Sequence, residues 1–64
     1  MEKVRKLVKH LPRKERTVIE LRYGLLDGRI HPQHEVAAAL GISRSYVSRI
    51  EKRALEKLRH ELET

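Results

Sequence analysis

The chain has 64 residues, about the length of one small domain, and it contains no cysteine that could form a disulfide or a thiolate metal site. Fifteen Lys and Arg residues against nine Asp and Glu residues give a net charge of +6, which favours a polyanionic partner. Phe and Trp are absent, whereas single-strand and RNA binders generally stack bases on aromatic side chains. Composition therefore favours duplex DNA over single-stranded nucleic acid.

The sequence contains no apolar run of the roughly 18 to 20 residues that a membrane helix requires, and no signal peptide is recognisable. We also find no internal repeat and no low-complexity stretch. We therefore expect residues 1–64 to form a single domain of an intracellular protein that does not bind membranes.

Apolar residues at helical spacing, beginning with Val4, predict a first helix that ends near His10 or Leu11, before Pro12. A second helix is predicted over residues 12–23, because proline suits the first turn of a helix and Gly24 suits its end.

The segment 24–31 lacks helical periodicity and contains an Asp-Gly turn signal, so it is predicted to be a loop. Leu25 and Leu26 are expected to pack back under the domain and tether this loop. A third helix is predicted over residues 32–40.

The last helix is predicted to begin after Ser43, whose hydroxyl can cap it, and to continue to the C-terminus. Its apolar side is expected to comprise Val47, Ile50, Ala54, Leu55, Leu58 and Leu62. Glu51, Glu56, Glu61 and Glu63 are expected to lie on its exposed, charged side.

Residues 33–52 have the spacing of a helix-turn-helix. The small Ala37 lets two helices approach closely, and Gly41 supplies the positive φ that a three-residue turn requires. Ile42 is expected to insert into the core, while Val47 and Ile50 anchor the second helix of the motif. The sequence therefore predicts an all-α, four-helix domain with a C-terminal helix-turn-helix.

This pattern leaves a polar face outward on the last helix, where a recognition helix meets the major groove. The expected base contacts are Arg44, Ser45, Ser48 and Arg49, and Lys52 and Arg53 suit phosphates. Tyr46 could stack on a thymine methyl or a sugar, or it could brace the turn. The alternative is that these polar groups are merely the solvent-exposed side of a helix. The spacing of the whole motif favours DNA binding.

Two segments carry a family resemblance, and both are quoted from the printed sequence. Residues 40–58, LGISRSYVSRIEKRALEKL, and residues 11–25, LPRKERTVIELRYGL, resemble region 4 of bacterial sigma-70 family factors. The resemblance is closest to the sporulation-type members, and it extends over roughly residues 4–61.

The resemblance implies a fold similar to a winged helix without its wing, recognition of the promoter −35 element, and docking on the β flap of RNA polymerase. It places Arg44, Ser45, Ser48 and Arg49 at base contacts, and Gln33 and Arg22 near the DNA backbone. Arg53 and Lys57 occupy a stretch offered to activators or upstream DNA. The polymerase-facing surface is expected to include Leu7, Leu11, Ile19 and Leu26.

Two positions depart from the family pattern. Pro32 stands where Thr is common, so the cap of the third helix is expected from elsewhere, with His31 as the candidate. His34 stands where a longer basic residue is common, which would make a contact there depend on pH. Region 2 is also missing, so the chain is expected to be one domain of a longer protein, acting in the bacterial cytoplasm at the nucleoid.

Other classes of function have weaker support in the sequence. His31 and His34 have only Glu35 as a candidate further metal ligand, and the serines have no His–Asp arrangement for catalysis. We therefore expect neither metal, cofactor nor enzymatic activity. Two alternatives stay open. The chain could be an autonomous dimeric regulator that reads a palindrome, or a module held by an anti-sigma factor or another regulatory protein.

Overall fold

The computed structural model describes residues 2–63, which form four helices and no strand within that range. The helices are α1 (Glu2–Lys9), α2 (Arg13–Arg22), α3 (Gln33–Leu40) and α4 (Arg44–Glu63). The all-α class with a C-terminal helix-turn-helix is confirmed. Over residues 2–63, no helix combines the length and the apolar character needed to cross a membrane.

Both α2 and α3 begin one residue later than the sequence predicts, because the proline before each helix is its N-cap and not its first residue. Pro12 has ψ 149° and Pro32 has ψ 162°, both extended values. No side chain caps α3 within the described part of the chain, so the prediction that His31 does so is wrong. The His31 ring instead approaches the carbonyl of Leu21, with 3.2 Å between Nδ1 and the oxygen.

The turn between α3 and α4 is built as the sequence predicts. Gly41 adopts the left-handed conformation at φ 69° and ψ 33°, and the N–H of Ile42 donates to the carbonyl of Ala37 at 3.1 Å. Ser43 Oγ accepts a hydrogen bond from the N–H of Tyr46 at 3.1 Å, which caps α4. The cap and the turn together fix where the fourth helix begins.

Replacing Ser43 by alanine is expected to destabilise the domain by about 1 kcal/mol, because the N–H of Tyr46 then loses its acceptor. Thermal unfolding followed by circular dichroism measures this effect. Ser45→Ala is the matched control, since Ser45 is exposed and its hydroxyl contacts only that of Ser43. Equal melting temperatures for the two variants would mean that the cap contributes nothing.

Two clusters of buried side chains hold the helices together. The first joins α2, α3 and α4 and comprises Val18, Val36, Ala37, Val47 and Ile50. The second joins α1, α2 and α4 and comprises Val8, Ile19, Ala54 and Leu58. Adjacent residues of α2 thus point into different clusters, and α4 spans both. The helix-turn-helix rests on the first cluster, with Ile42 packed against it as predicted.

Three leucines expected in the core are exposed, and those predictions are wrong. Leu26, in the loop after α2, is 65% exposed, although its neighbour Leu25 packs against the second cluster. Leu55 and Leu62 are also exposed. The buried stripe of α4 is narrow, and this helix has 20 residues against eight in α1, so its last turns have less protein to pack against.

Candidate nucleic-acid interface

The predicted recognition face is a continuous exposed surface of α4. With about 100° between successive residues of a helix, Ser45, Arg49 and Lys52 point most directly away from the buried stripe. Arg44 and Ser48 lie toward α3, whereas Arg53 lies toward α2. All six side chains are exposed. The structure therefore brings the six predicted contacts on α4 onto one surface, although not in a single row.

From Arg44 to Arg53, the exposed charges of this surface are all positive. Between Arg44 and Arg53 the sequence has four basic residues and one acidic residue, Glu51. Glu51 is only 6% exposed and is hydrogen-bonded inside the domain. The surface offered to a ligand is therefore more basic than the sequence count of this segment suggests.

Tyr46 braces the recognition face between two cations. Lys14 Nζ, from α2, lies 5.4 Å from the centre of its ring, and the guanidinium carbon of Arg49 lies 5.7 Å from it. Both distances are typical of cation–π contacts. The ring is still partly exposed, so it positions Arg49 and remains accessible. Sequence reasoning missed Lys14, for which the only signal was a basic pair at the start of α2.

Glu51 is a buried centre of hydrogen bonds, so the prediction that it lies on the exposed face is wrong. Its Oε1 accepts from Arg22 Nε and from Gln33 Nε2, both at 3.0 Å. Its Oε2 accepts from the hydroxyl of Tyr23 at 2.9 Å. These donors stand at the end of α2, just after it, and at the start of α3, so one carboxylate joins three helices.

The two residues predicted to contact the DNA backbone from outside α4 both belong to this centre. Arg22 also donates from Nη1 to the carbonyl of His31 at 3.0 Å, and its side chain is 24% exposed. Gln33 is half-buried and lines a groove with Ser48 and Lys52 of the recognition helix. The structure thus places Gln33 beside the recognition face and Arg22 next to Glu51.

Burial and hydrogen bonding act in opposite directions on the pKa of Glu51. Burial alone would raise the pKa of this carboxyl, but the bonds from Gln33, Arg22 and Tyr23 favour the charged form and hold the pKa below its usual value. The pKa of Tyr23 is raised, first by burial and then by its hydrogen bond to the Glu51 carboxylate. Glu51 is therefore charged at neutral pH.

The lowered pKa of Glu51 predicts an acid-sensitive contribution to stability. A carboxyl whose pKa is lower in the folded chain stabilises the fold at pH values above the unfolded pKa. This stabilisation is lost as the pH falls below about 4.5, the ordinary value, through the folded pKa. Chemical unfolding at a series of pH values should show a smaller loss toward acid in Glu51→Gln than in the unchanged chain. Parallel curves for the two proteins would contradict this.

A second buried carboxylate joins α2 to α4 on the other side of the recognition face. Glu15 Oε2 lies 3.0 Å from Lys57 Nζ, whose side chain is about half exposed. Glu15 Oε1 is buried and has no hydrogen-bond donor among residues 2–63. Lys57, which the family resemblance associates with activators or upstream DNA, is thus held by an ion pair.

The four residues predicted to face a partner protein do not form one surface. Leu7 and Leu11 line a groove of about 670 Å³ between the α1–α2 connection and the second half of α4. Ile19 is 2% exposed inside the second cluster, so the prediction that it contacts a partner is wrong. Leu26 lies apart, on the loop after α2, where Ile30 is also 68% exposed. Sequence reasoning missed Ile30.

The histidines give no sign of a metal centre in the described chain. Over residues 2–63, no group of three or more His, Cys, Asp or Glu side chains is placed to hold a metal ion. His31 contacts the carbonyl of Leu21, and His34 is exposed in the first turn of α3.

A small helical domain with a capped helix-turn-helix and a basic outer face belongs to the class of helix-turn-helix DNA-binding modules. The family model described as sigma-70, region 4, matches residues 7–60. The chain therefore belongs to the sigma-70 region 4 family. This family is a module of transcription initiation and not an enzyme.

The curated relatives of this chain are named as sigma factors, which agrees with the family match. The RNA polymerase sigma-28 factor of Bacillus thuringiensis subsp. kurstaki is 52% identical over 61 residues, covering 95% of this chain and 26% of that protein. The sigma-K factor of Bacillus subtilis (strain 168) is 52% identical, with 95% and 21% covered. The sigma-E factor of Clostridium acetobutylicum is 47% identical, with 86% and 23% covered. The sigma-K and sigma-E names fit the sporulation-type resemblance. The chain spans about a quarter of the length of each relative.

Proposed function

We propose that this domain recognises the −35 element of promoters as region 4 of a longer sigma factor. The observation that carries the proposal is the basic outer face of α4 on a correctly capped helix-turn-helix. Membership in the sigma-70 region 4 family supports the same role. Residues 1–64 are then one domain, and other domains of the longer protein would melt the promoter. The protein would act in the cytoplasm, at the nucleoid.

We assign direct base reading to Arg44, Ser45, Ser48 and Arg49. An arginine can donate two hydrogen bonds to the O6 and N7 atoms of guanine, and serines are short enough to let the helix lie deep in the groove. Lys52 and Arg53 follow this set along α4 and are assigned to phosphates. Arg22 and Gln33 are assigned to the DNA backbone beside the start of α3.

Selection from a randomised duplex library tests this function, followed by salt titration on the selected and on a scrambled duplex. A single asymmetric motif bound by a monomer supports recognition of a −35 element. A palindrome bound by a dimer, with half-sites about 34 Å apart, would identify an autonomous regulator instead. Enrichment of no sequence at any salt concentration would favour a domain whose ligand is an anti-sigma factor or another protein.

We further propose that the domain docks on the β flap of RNA polymerase. The groove lined by Leu7 and Leu11 supports this, because it has an apolar floor and is open to solvent. Leu26 and Ile30 are two further exposed apolar side chains, both on the loop after α2. Few phosphate contacts give modest affinity for DNA, and tethering to polymerase raises the effective concentration at the promoter.

Substitutions at two exposed residues test which of the two surfaces docks on the β flap. His10→Glu changes the rim of the Leu7–Leu11 groove, and Leu26→Ser removes an apolar side chain from the loop. We expect only His10→Glu to weaken binding to an isolated β flap fragment, measured by titration calorimetry. Loss with Leu26→Ser alone would move the docking site to the loop. Wild-type affinity in both variants would contradict docking through either surface.

A further inference from the structure

We propose that Glu51 is a positioning residue for DNA binding, which holds Arg22 and Gln33 in the orientation that presents their free donors to the DNA backbone. The inference rests on the proposed function of the domain. Glu51 itself is buried and carries a negative charge, so it is not a contact for phosphate. Its effect on DNA passes through the two side chains that it holds.

The hydrogen bonds leave a defined set of donors available. A guanidinium has five N–H groups, and Arg22 uses Nε for Glu51 and Nη1 for the carbonyl of His31. Its Nη2 group has no acceptor among residues 2–63 and is therefore left for another one. The amide of Gln33 has two N–H groups, of which one is donated to Glu51. Each side chain is thus held by its bond to Glu51 and retains an N–H group that can donate a hydrogen bond to a phosphate.

The same carboxylate also fixes the helix that carries Gln33. Residues 23–32 separate α2 from α3, and α3 begins without a side-chain cap. The bond from Gln33 to Glu51 ties the first residue of α3 directly to the recognition helix. Ser48 and Lys52 line the groove in which this bond lies. The start of α3 and the recognition face are therefore held as one surface.

Glu51→Gln tests the proposal because electrostatics alone would give the opposite result. This substitution removes a negative charge, which by itself strengthens binding to every duplex. We expect it instead to weaken binding to the selected duplex by roughly tenfold, the cost of about one lost contact. Glu56→Gln is the matched control, since it makes the same charge change at an exposed position of α4. It should strengthen binding slightly.

A double-mutant cycle separates positioning from a general loss of structure. In the unchanged chain, Arg22→Gln should lower the slope of log affinity against log salt by about 0.9, the value of one phosphate contact. In the Glu51→Gln background the same substitution should have no further effect. Arg49→Ala should keep its full effect in both backgrounds. Circular dichroism at the temperature of the binding assay checks that every variant is folded.

Glu51→Asp replaces Glu51→Gln if the latter does not fold, because it keeps the charge and withdraws the carboxylate by one methylene. Independent effects of Arg22→Gln and the Glu51 substitution would overturn the inference alone. The same conclusion follows if Glu51→Gln strengthens binding as Glu56→Gln does, or if Arg22→Gln leaves the salt slope unchanged. Equal affinity of the unchanged chain for selected and scrambled duplexes would overturn the proposed function, and the inference with it.

Discussion

Replacing Gly41 by valine is expected to remove about half of the stability of this domain or more. Gly41 has φ 69°, and a Cβ added there would meet no atom within 4 Å. The cost therefore comes from the backbone conformation and not from crowding. A non-glycine residue in a sparsely populated backbone region costs about 1–3 kcal/mol, and a β-branched side chain lies at the upper end. A domain of this size rarely has more than about 3–5 kcal/mol in total.

Thermal unfolding measures the Gly41→Val effect, with a decrease in melting temperature of about 4–8 °C for each kcal/mol in a small domain. Gly41→Asn is the matched control, because asparagine tolerates the left-handed region far better than valine does. We expect the asparagine variant to retain most of the stability. If valine and asparagine lowered the melting temperature equally, the positive φ would not be the cause.

Arg49→Ala is expected to weaken binding to the selected duplex by about 1–3 kcal/mol and to relax the base preference at one position. Arg49 is exposed on the outward side of α4 and stacks over Tyr46, which limits the orientations of its guanidinium. Selection repeated with the variant shows the relaxed position directly. Its affinity for scrambled DNA should change much less than its affinity for the selected duplex.

Lys52→Ala is the matched comparison on the same face, because Lys52 is assigned to a phosphate. Its loss should weaken binding to selected and scrambled duplexes alike and lower the salt slope by about 1. An Arg49→Ala variant that behaved in this way would make Arg49 a phosphate contact too. Base reading would then rest on Arg44 and the two serines, Ser45 and Ser48.

The helix-turn-helix could be predicted from sequence because its determinants are local. The role of Gly41 depends only on the positive φ of that residue, and Ser43 caps the N–H of Tyr46 three residues later. The boundaries at Pro12 and Pro32 were displaced by one residue, since proline fits both the N-cap and the first helical position.

The hydrogen bonds of Glu51 could not be predicted because they depend on residues far away in the sequence. Its partners Arg22 and Gln33 are 29 and 18 residues distant. On helical spacing alone, a glutamate between Ile50 and Lys52 is as compatible with a solvated edge as with a buried centre. A useful signal was the surplus of donors, since the end of α2 and the start of α3 together offer three groups without local acceptors.

The family resemblance implies that Ile19 faces a partner, but it does not show how α2 packs in this chain. In the structure α2 lies between two clusters, so Val18 points into the first and Ile19 into the second. A single helix pattern does not show whether a second cluster exists. Here the second cluster exists because α1 packs against α2 and α4 and contributes Val8 to it.

The division of the core into two clusters implies that the domain opens in parts. Val8 and the other apolar residues of α1 pack only in the second cluster, whereas α3 packs only in the first. Since α1 has eight residues and is too short to be stable alone, we expect local unfolding to begin there. Hydrogen exchange should therefore be faster at the amides of α1 than in the first half of α4. The helix-turn-helix would keep its shape while α1 detaches, so DNA recognition is insulated from fluctuations at the other end of the domain.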